Sequence, residues 1–199
     1  MSEEPKYFDV RRDFWKENFT RALSYEDYLD ASPKDKAEKW RNMEANIPAL
    51  GAEDRKRLSG KDRKLNVLVS SGVWCGDCVR QGPMLKIICE GVGPDADLRF
   101  AERDDFPELA RELRILGALR VPVVVFLAEN FFEVGRFGDR LLTVYRRKLK
   151  QELGEACDTG LVVPPEDELV SEQKEWIDIF ERMLIMERLA PVLRSGHNN

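Results

Sequence analysis

The chain has 199 residues, with 43% hydrophobic and 35% charged residues, and a net charge of -5. This apolar content excludes a disordered chain, and the length suffices for one domain with terminal additions. The acidic balance, with a pI near 5.2, argues against a nucleic-acid or anionic-membrane surface. The longest apolar run, Val121 to Ala128, is of strand length and far short of a membrane span. The N-terminus is acidic with no apolar segment behind it, so the expected compartment is the cytoplasm.

Residues 1–64 are predicted to be helical. Asp9 to Leu29 carries Phe14, Trp15, Phe19, Leu23 and Tyr28 near one helical stripe. Ser32-Pro33 is a helix start, and a second helix is expected from Pro33 to about Ile47 with Trp40 and Met43 on one face. Pro48 ends it, and Gly51-Ala-Glu-Asp54 opens a short third helix towards Leu58. The plain reading of this segment is a helical cap on the core.

Residues 65–155 alternate strand and helix. Leu65 to Ser70 reads as a strand, Cys75 to about Glu90 as a helix broken at Gly82-Pro83, and Leu98 to Glu102 as a strand. Pro107 to Leu116 reads as a helix and Val123 to Leu127 as a strand covered on both faces. Phe131 to Phe137 is a further strand, and Asp139 to Leu153 a basic helix. The order implies a small mixed sheet with helices on both faces. Residues 156–199 open with a loop, Cys157 to Pro165. A long helix from about Glu166 to Leu189 follows, with Leu169, Trp176, Phe180, Met183 and Leu184 near one face. Pro191 stops that helix and leaves a short tail.

Four cysteines in a chain of this length do not make a disulfide framework, but Cys75-Gly76-Asp77-Cys78 is a CxxC pair. Redox chemistry and metal binding are the two readings. Structural zinc takes four ligands, and neither the other two cysteines nor His197 stands at ligand spacing. No metal is therefore expected, with a cluster shared by a dimer as a minor variant. The pair follows a strand and opens a helix, where partial positive charge favours a thiolate at Cys75. Cys78, one turn on, can resolve a mixed disulfide. Gly76 leaves the turn uncluttered, and Trp74 shields one side. Cys89 reads as a buried structural thiol and Cys157 as an exposed bystander. The basic cluster Arg136, Arg140, Arg146, Arg147, Lys148 and Lys150 reads as a solvated face.

Trp74-Cys-Gly-Asp-Cys78 resembles the WCGPC motif of the thioredoxin superfamily. Pro83 matches that family's helix-kinking proline, and Arg120-Val121-Pro122 resembles its cis-proline loop. Gly135 resembles the glycine of the last strand that completes the substrate groove. WCGDC, Phe100-Ala-Glu-Arg-Asp104 and Gly135-Arg-Phe-Gly138, with the helical N-terminal extension, are similar to a bacterial thioredoxin-like subfamily.

The resemblance implies a three-layer α/β/α sandwich around a mixed sheet, with helical extensions at both ends. Its domains would be an N-terminal extension over 1–64, a thioredoxin-like domain over 65–155 and a C-terminal loop and helix over 156–199. It implies a thiol–disulfide oxidoreductase that reduces protein disulfides. Cys75 would be the nucleophile and Cys78 the resolving thiol. Trp74, Gly76, Asp77, Val121, Pro122 and Gly135 would contact substrate. No cofactor is implied beyond the Cys75–Cys78 disulfide, which a thioredoxin-reductase-like protein or another thiol reductant would regenerate. Nucleic-acid and membrane partners are not expected, and oligomeric state is left open.

The sequence departs from that pattern in two places. Asp77 replaces the usual proline, and a carboxylate there disfavours the thiolate unless Arg80 or Arg103 offsets it. The family's buried acid on the preceding strand has Val69 and Ser70 at its place, and its partner lysine has Phe100 near its place. Water, Asp77 or Glu102 would have to move the proton. Two other readings compete: an adaptor module whose added helices dock a partner around a passive or sensing CxxC, and a specialised reductase for a peroxide-consuming or small-molecule substrate.

Overall fold

A computed structural model describes residues 7–60, 63–153 and 168–194. Cys157, the loop to Pro165 and His197 lie outside the described residues. The elements run α1 (Arg12–Arg21), α2 (Tyr25–Asp30), α3 (Lys34–Glu44), α4 (Ala52–Leu58), β1 (Leu65–Ser71), α5 (Gly76–Val92), β2 (Ala96–Glu102), α6 (Pro107–Glu112), β3 (Val123–Leu127), β4 (Glu133–Gly138), α7 (Leu142–Leu153), α8 (Glu168–Leu189) and α9 (Pro191–Arg194).

The sheet order is β2-β1-β3-β4. β1 and β2 pair in parallel, while β1 with β3 and β3 with β4 pair antiparallel. Alternation along the buried strands feeds two cores. Val67, Val69, Val124 and Phe126 face α2 to α5 and α8, while Leu68, Val123, Val125 and Leu127 face α1 and α6. This is a three-layer α/β/α sandwich with a mixed sheet.

The first expected helix is two. The apolar stripe runs on through Leu23, but Ser24 caps a new helix by accepting the backbone N–H of Asp27 at 3.2 Å. Leu23 instead bonds in both directions to the backbone of Phe100, prolonging the sheet edge by one residue. The break at Gly82-Pro83 does not occur. α5 is continuous with Pro83 inside it, and Gly82 gives Trp40 its seat: a Cβ there would lie 2.0 Å from the indole. α6 stops at Glu112 rather than Leu116, because the chain turns through Leu116 and Gly117 at positive φ.

The N-terminal helices share the main core. Trp40 is fully buried among Tyr25, Tyr28 and Phe100, with ring centroids 5.6 to 6.1 Å from it. The C-terminal helix closes the same face. Glu172 of α8, fully buried, accepts Arg80 of α5 at 2.8 Å and Arg147 of α7 at 2.9 Å. Glu175 of α8 accepts the first free N–H groups of α7, at Leu142 and Thr143. Arg57 of α4 reaches Glu181 of α8 at 2.6 Å. Among the described residues no helix is long and apolar enough to cross a membrane.

Candidate active site

β1 delivers the chain into a loop that several backbone bonds hold. The N–H of Arg103 donates to Ser71 O at 2.7 Å, and that of Cys75 to Gly72 O at 2.9 Å. The Trp40 indole N–H donates to Val73 O at 3.0 Å, and the Val73 N–H donates to Glu102 at 3.0 Å. The loop is thus tied to α3 on one side and to the end of β2 on the other. It ends at Cys75, the N-cap residue of α5.

Cys75 is partly exposed, whereas Cys78, one turn into the helix, is 1% exposed. Their environments push them apart. The Cys78 thiol hydrogen-bonds the Cys75 sulfur and, with the backbone N–H groups of Cys78 and Asp77, outweighs burial. The Cys75 pKa falls to about 6. Burial, then the hydrogen bond and charge of Cys75, hold Cys78 well above the ordinary thiol range. Cys75 is therefore thiolate-prone and reachable, and Cys78 is buried and held as the protonated thiol. Cys89 is buried three turns along α5, where burial likewise keeps it protonated. Among the described residues no group of His, Cys, Asp and Glu could hold a metal ion.

Asp77 opposes the Cys75 thiolate, but its carboxylate is paired with Arg140 at 2.8 Å. The partner is neither Arg80, committed to Glu168 and Glu172, nor Arg103. Arg103 pairs with Asp104 and lies 4.7 Å over the Trp74 ring. Arg140 thus leaves the group expected to be a solvated basic face. Arg147 leaves it too, through Glu172, as does Arg136, which pairs with Glu133 and lies 5.2 Å over Trp15.

Trp74 is 48% exposed beside Cys75, and a Cβ at Gly76 would meet nothing within 4 Å. Gly76 therefore fills no packing need and leaves the thiol's surroundings open. The Val121–Pro122 peptide is cis, and Val121 O lies 3.7 Å from the Cys75 sulfur. The loop before β3 and the start of α5 meet at the thiol.

Gly135 is not part of this meeting. It pairs with Phe126, and a Cβ there would lie 3.0 Å from Met183 of α8. The glycine against the proline is Gly138, whose Cβ would lie 2.8 Å from Pro122 O. The β3–β4 register sets Gly138 opposite Val123, which the sequence pattern did not reveal. Sequence reasoning also missed Arg140, which stands far along the chain with no local motif.

A thioredoxin family model matches residues 22–146. No curated protein matches the chain. A crystal structure of an HIV epitope-scaffold is similar at 18% identity, over 88% of this chain and 98% of that one, with a TM-score of 0.60. A protein of unknown function from Pseudomonas aeruginosa is similar at 17% identity, over 91% and 96% of the two chains, with a TM-score of 0.54. Both likenesses are of fold, and they span the terminal helices as well as the sheet. With the family match covering more than half of its length, the chain belongs to the thioredoxin family.

Proposed function

We propose that the protein is a thiol–disulfide oxidoreductase that reduces protein disulfides through Cys75 and Cys78. The observation that carries this reading is the opposed tuning of the two thiols: Cys75 lowered and reachable, Cys78 raised and buried one turn away. The Cys75 thiolate attacks one sulfur of a substrate disulfide, and the other sulfur leaves as a thiolate. Cys78 then attacks Cys75, forming the intramolecular disulfide and releasing the second substrate sulfur. Trp74, Gly76, Asp77, Val121 and Pro122 border the thiol and would meet the substrate. A thiol reductant or a reductase protein returns the pair to the dithiol, and the cytoplasm is the compartment that suits this direction.

The test is turnover of a disulfide-bonded protein in the presence of a dithiol reductant. Cys75→Ser should abolish the rate above background, and Cys78→Ser should accumulate a mixed disulfide at Cys75. Full activity in Cys75→Ser would reject the assignment.

A further inference from the structure

One buried carboxylate joins the two walls of the site. Asp139 follows Gly138, the last residue of β4, and is 3% exposed. One of its oxygens accepts Arg120 Nη1 at 2.9 Å and lies 3.5 Å from Arg140 Nη1. Its other oxygen accepts the hydroxyl of Tyr145 in α7. Its backbone oxygen accepts the side-chain amide of Gln81, buried in α5, at 3.2 Å. Burial opposes the charge, but the bonds from Tyr145 and Arg120 outweigh it and hold the carboxyl below its ordinary range. Asp139 is thus a charged node between α5, α7 and the loop before β3.

The node reaches the thiol from both sides. Arg140 goes on to Asp77 at 2.8 Å, two residues from Cys75. Arg120 directly precedes Val121, whose carbonyl oxygen lies 3.7 Å from the Cys75 sulfur. The loop before Arg120 is thinly packed, with Leu116 94% and Leu119 39% exposed. Arg103 and Arg114 bond its backbone from the surface. The Arg120 Nε is buried without a partner, and among the described residues Asp139 is the one acid that Arg120 meets. The charged tie at the end of the loop nearest the thiol is therefore the Arg120–Asp139 pair.

We propose that Asp139 is a positioning residue: through Arg120 it fixes the Val121 wall at the distance from Cys75 that a protein disulfide needs. The proposal rests on the oxidoreductase reading above. Asp139 does not touch the sulfur, and Arg140 keeps its own direct contact with Asp77. A protein disulfide has to lie along the Val121 wall while its sulfur meets Cys75. A small disulfide needs only the thiolate. Loss of the node should therefore penalise the large substrate more than the small one. A misplacement of about 1 Å can cost on the order of 10²-fold in rate, which bounds the effect from above.

The experiment uses the full chain, carrying Cys157→Ser, with two disulfides. Insulin is followed in steady state with dithiothreitol, and 4,4′-dithiodipyridine, small and neutral, in stopped flow. Asp139→Asn keeps the shape and removes the charge, and Arg120→Ala removes the other end of the pair. Each should lower the ratio of the insulin kcat/KM to the dithiodipyridine rate constant about tenfold or more, largely through KM. The double variant should lose no more than either single one, because both act through one contact. Arg120→Lys keeps a cationic donor for Asp139 and should recover part of the ratio. A merely structural role would slow both disulfides together. Matching unfolding midpoints by circular dichroism would show that the variants fold, and Arg120→Ala decides if Asp139→Asn does not. A ratio within twofold of the parent, equal slowing of both disulfides, or losses that multiply in the double variant overturn the positioning role. A parent that turns over neither disulfide overturns the oxidoreductase reading itself, and the positioning role with it.

Discussion

The state of the Cys75 thiol is the quantity from which the rest of the chemistry follows. Its pKa is lowered from the ordinary 9.0 to about 6. At pH 7 the thiolate-to-thiol ratio is then about ten to one, against about one to a hundred for an ordinary thiol. A weaker base is also a weaker nucleophile. With a Brønsted slope of about 0.4–0.5, the shift costs a factor of roughly 15–30 in intrinsic reactivity. The net gain at pH 7 is therefore only about three- to sixfold. The shape of the profile is the sharper observable. Alkylation by iodoacetamide, followed by mass spectrometry at Cys75 across pH, should reach its plateau just above neutrality. A rate still climbing at about pH 9 would refute the reasoning. Cys78→Ala tests the cause, because the hydrogen bond from Cys78 is the largest contribution lowering Cys75. The midpoint should move up towards the ordinary thiol range. An unmoved midpoint would mean that the α5 N-terminus alone sets it.

Three further outcomes are expected. Asp77→Asn should lower the Cys75 midpoint and Arg140→Ala should raise it, since one removes the opposing carboxylate and the other exposes it; the same alkylation profile reads both. Gly82→Ala should destabilise the chain by about 1–3 kcal/mol or more in denaturant unfolding, because its Cβ would lie 2.0 Å from the buried Trp40 ring. Glu187 of α8 is 1% exposed, and among the described residues neither of its carboxylate oxygens has a hydrogen-bond partner. Burial, with Glu129 nearby, raises its pKa from 4.5 to about 8. The folded chain binds this proton more tightly than the unfolded one. The contribution is thus full below about pH 4.5 and is lost as pH rises through about 8. Glu187→Gln should remove this dependence and be the more stable form at alkaline pH by up to about 5 kcal/mol, by chemical denaturation at several pH values.

The strands and the CxxC pair were legible because their signals are local. Val123 to Leu127 is an unbroken β-branched and aromatic run, and Cys75 falls where a strand signal gives way to a helical one. The errors came where a local signal met a competing one or where none existed. Ser24 with Asp27 is a capping pattern inside an apolar stripe that otherwise runs on through Leu23, and the cap prevailed. Gly82-Pro83 looked like a break. Yet the chain keeps its helix there, because the missing side chain at Gly82 admits Trp40.

Gly135 and Gly138 are alike as letters, and only the register against β3 tells which one meets Pro122. Arg140 reaches Asp77 across the fold, a juxtaposition with no trace in sequence spacing. Tyr28 was visible as part of an apolar stripe. That its hydroxyl turns to Glu102 depends on how α2 seats against β2.

The measurement that bears most directly on the central claim is a redox titration of the intact chain in thiol buffers, with alkylated thiols counted by mass. Cys75 and Cys78 should lose their alkylation together while Cys89 keeps its own. A Cys75 thiol at about 6 lies between the roughly 7 of a reducing CxxC protein and the roughly 3.5 of a strongly oxidising one. The midpoint is therefore expected between about -270 and -200 mV, nearer the reducing end of the thioredoxin-like range. A chain in which Cys75 and Cys78 never pair, at any potential reached, would contradict the claim that they form a working dithiol.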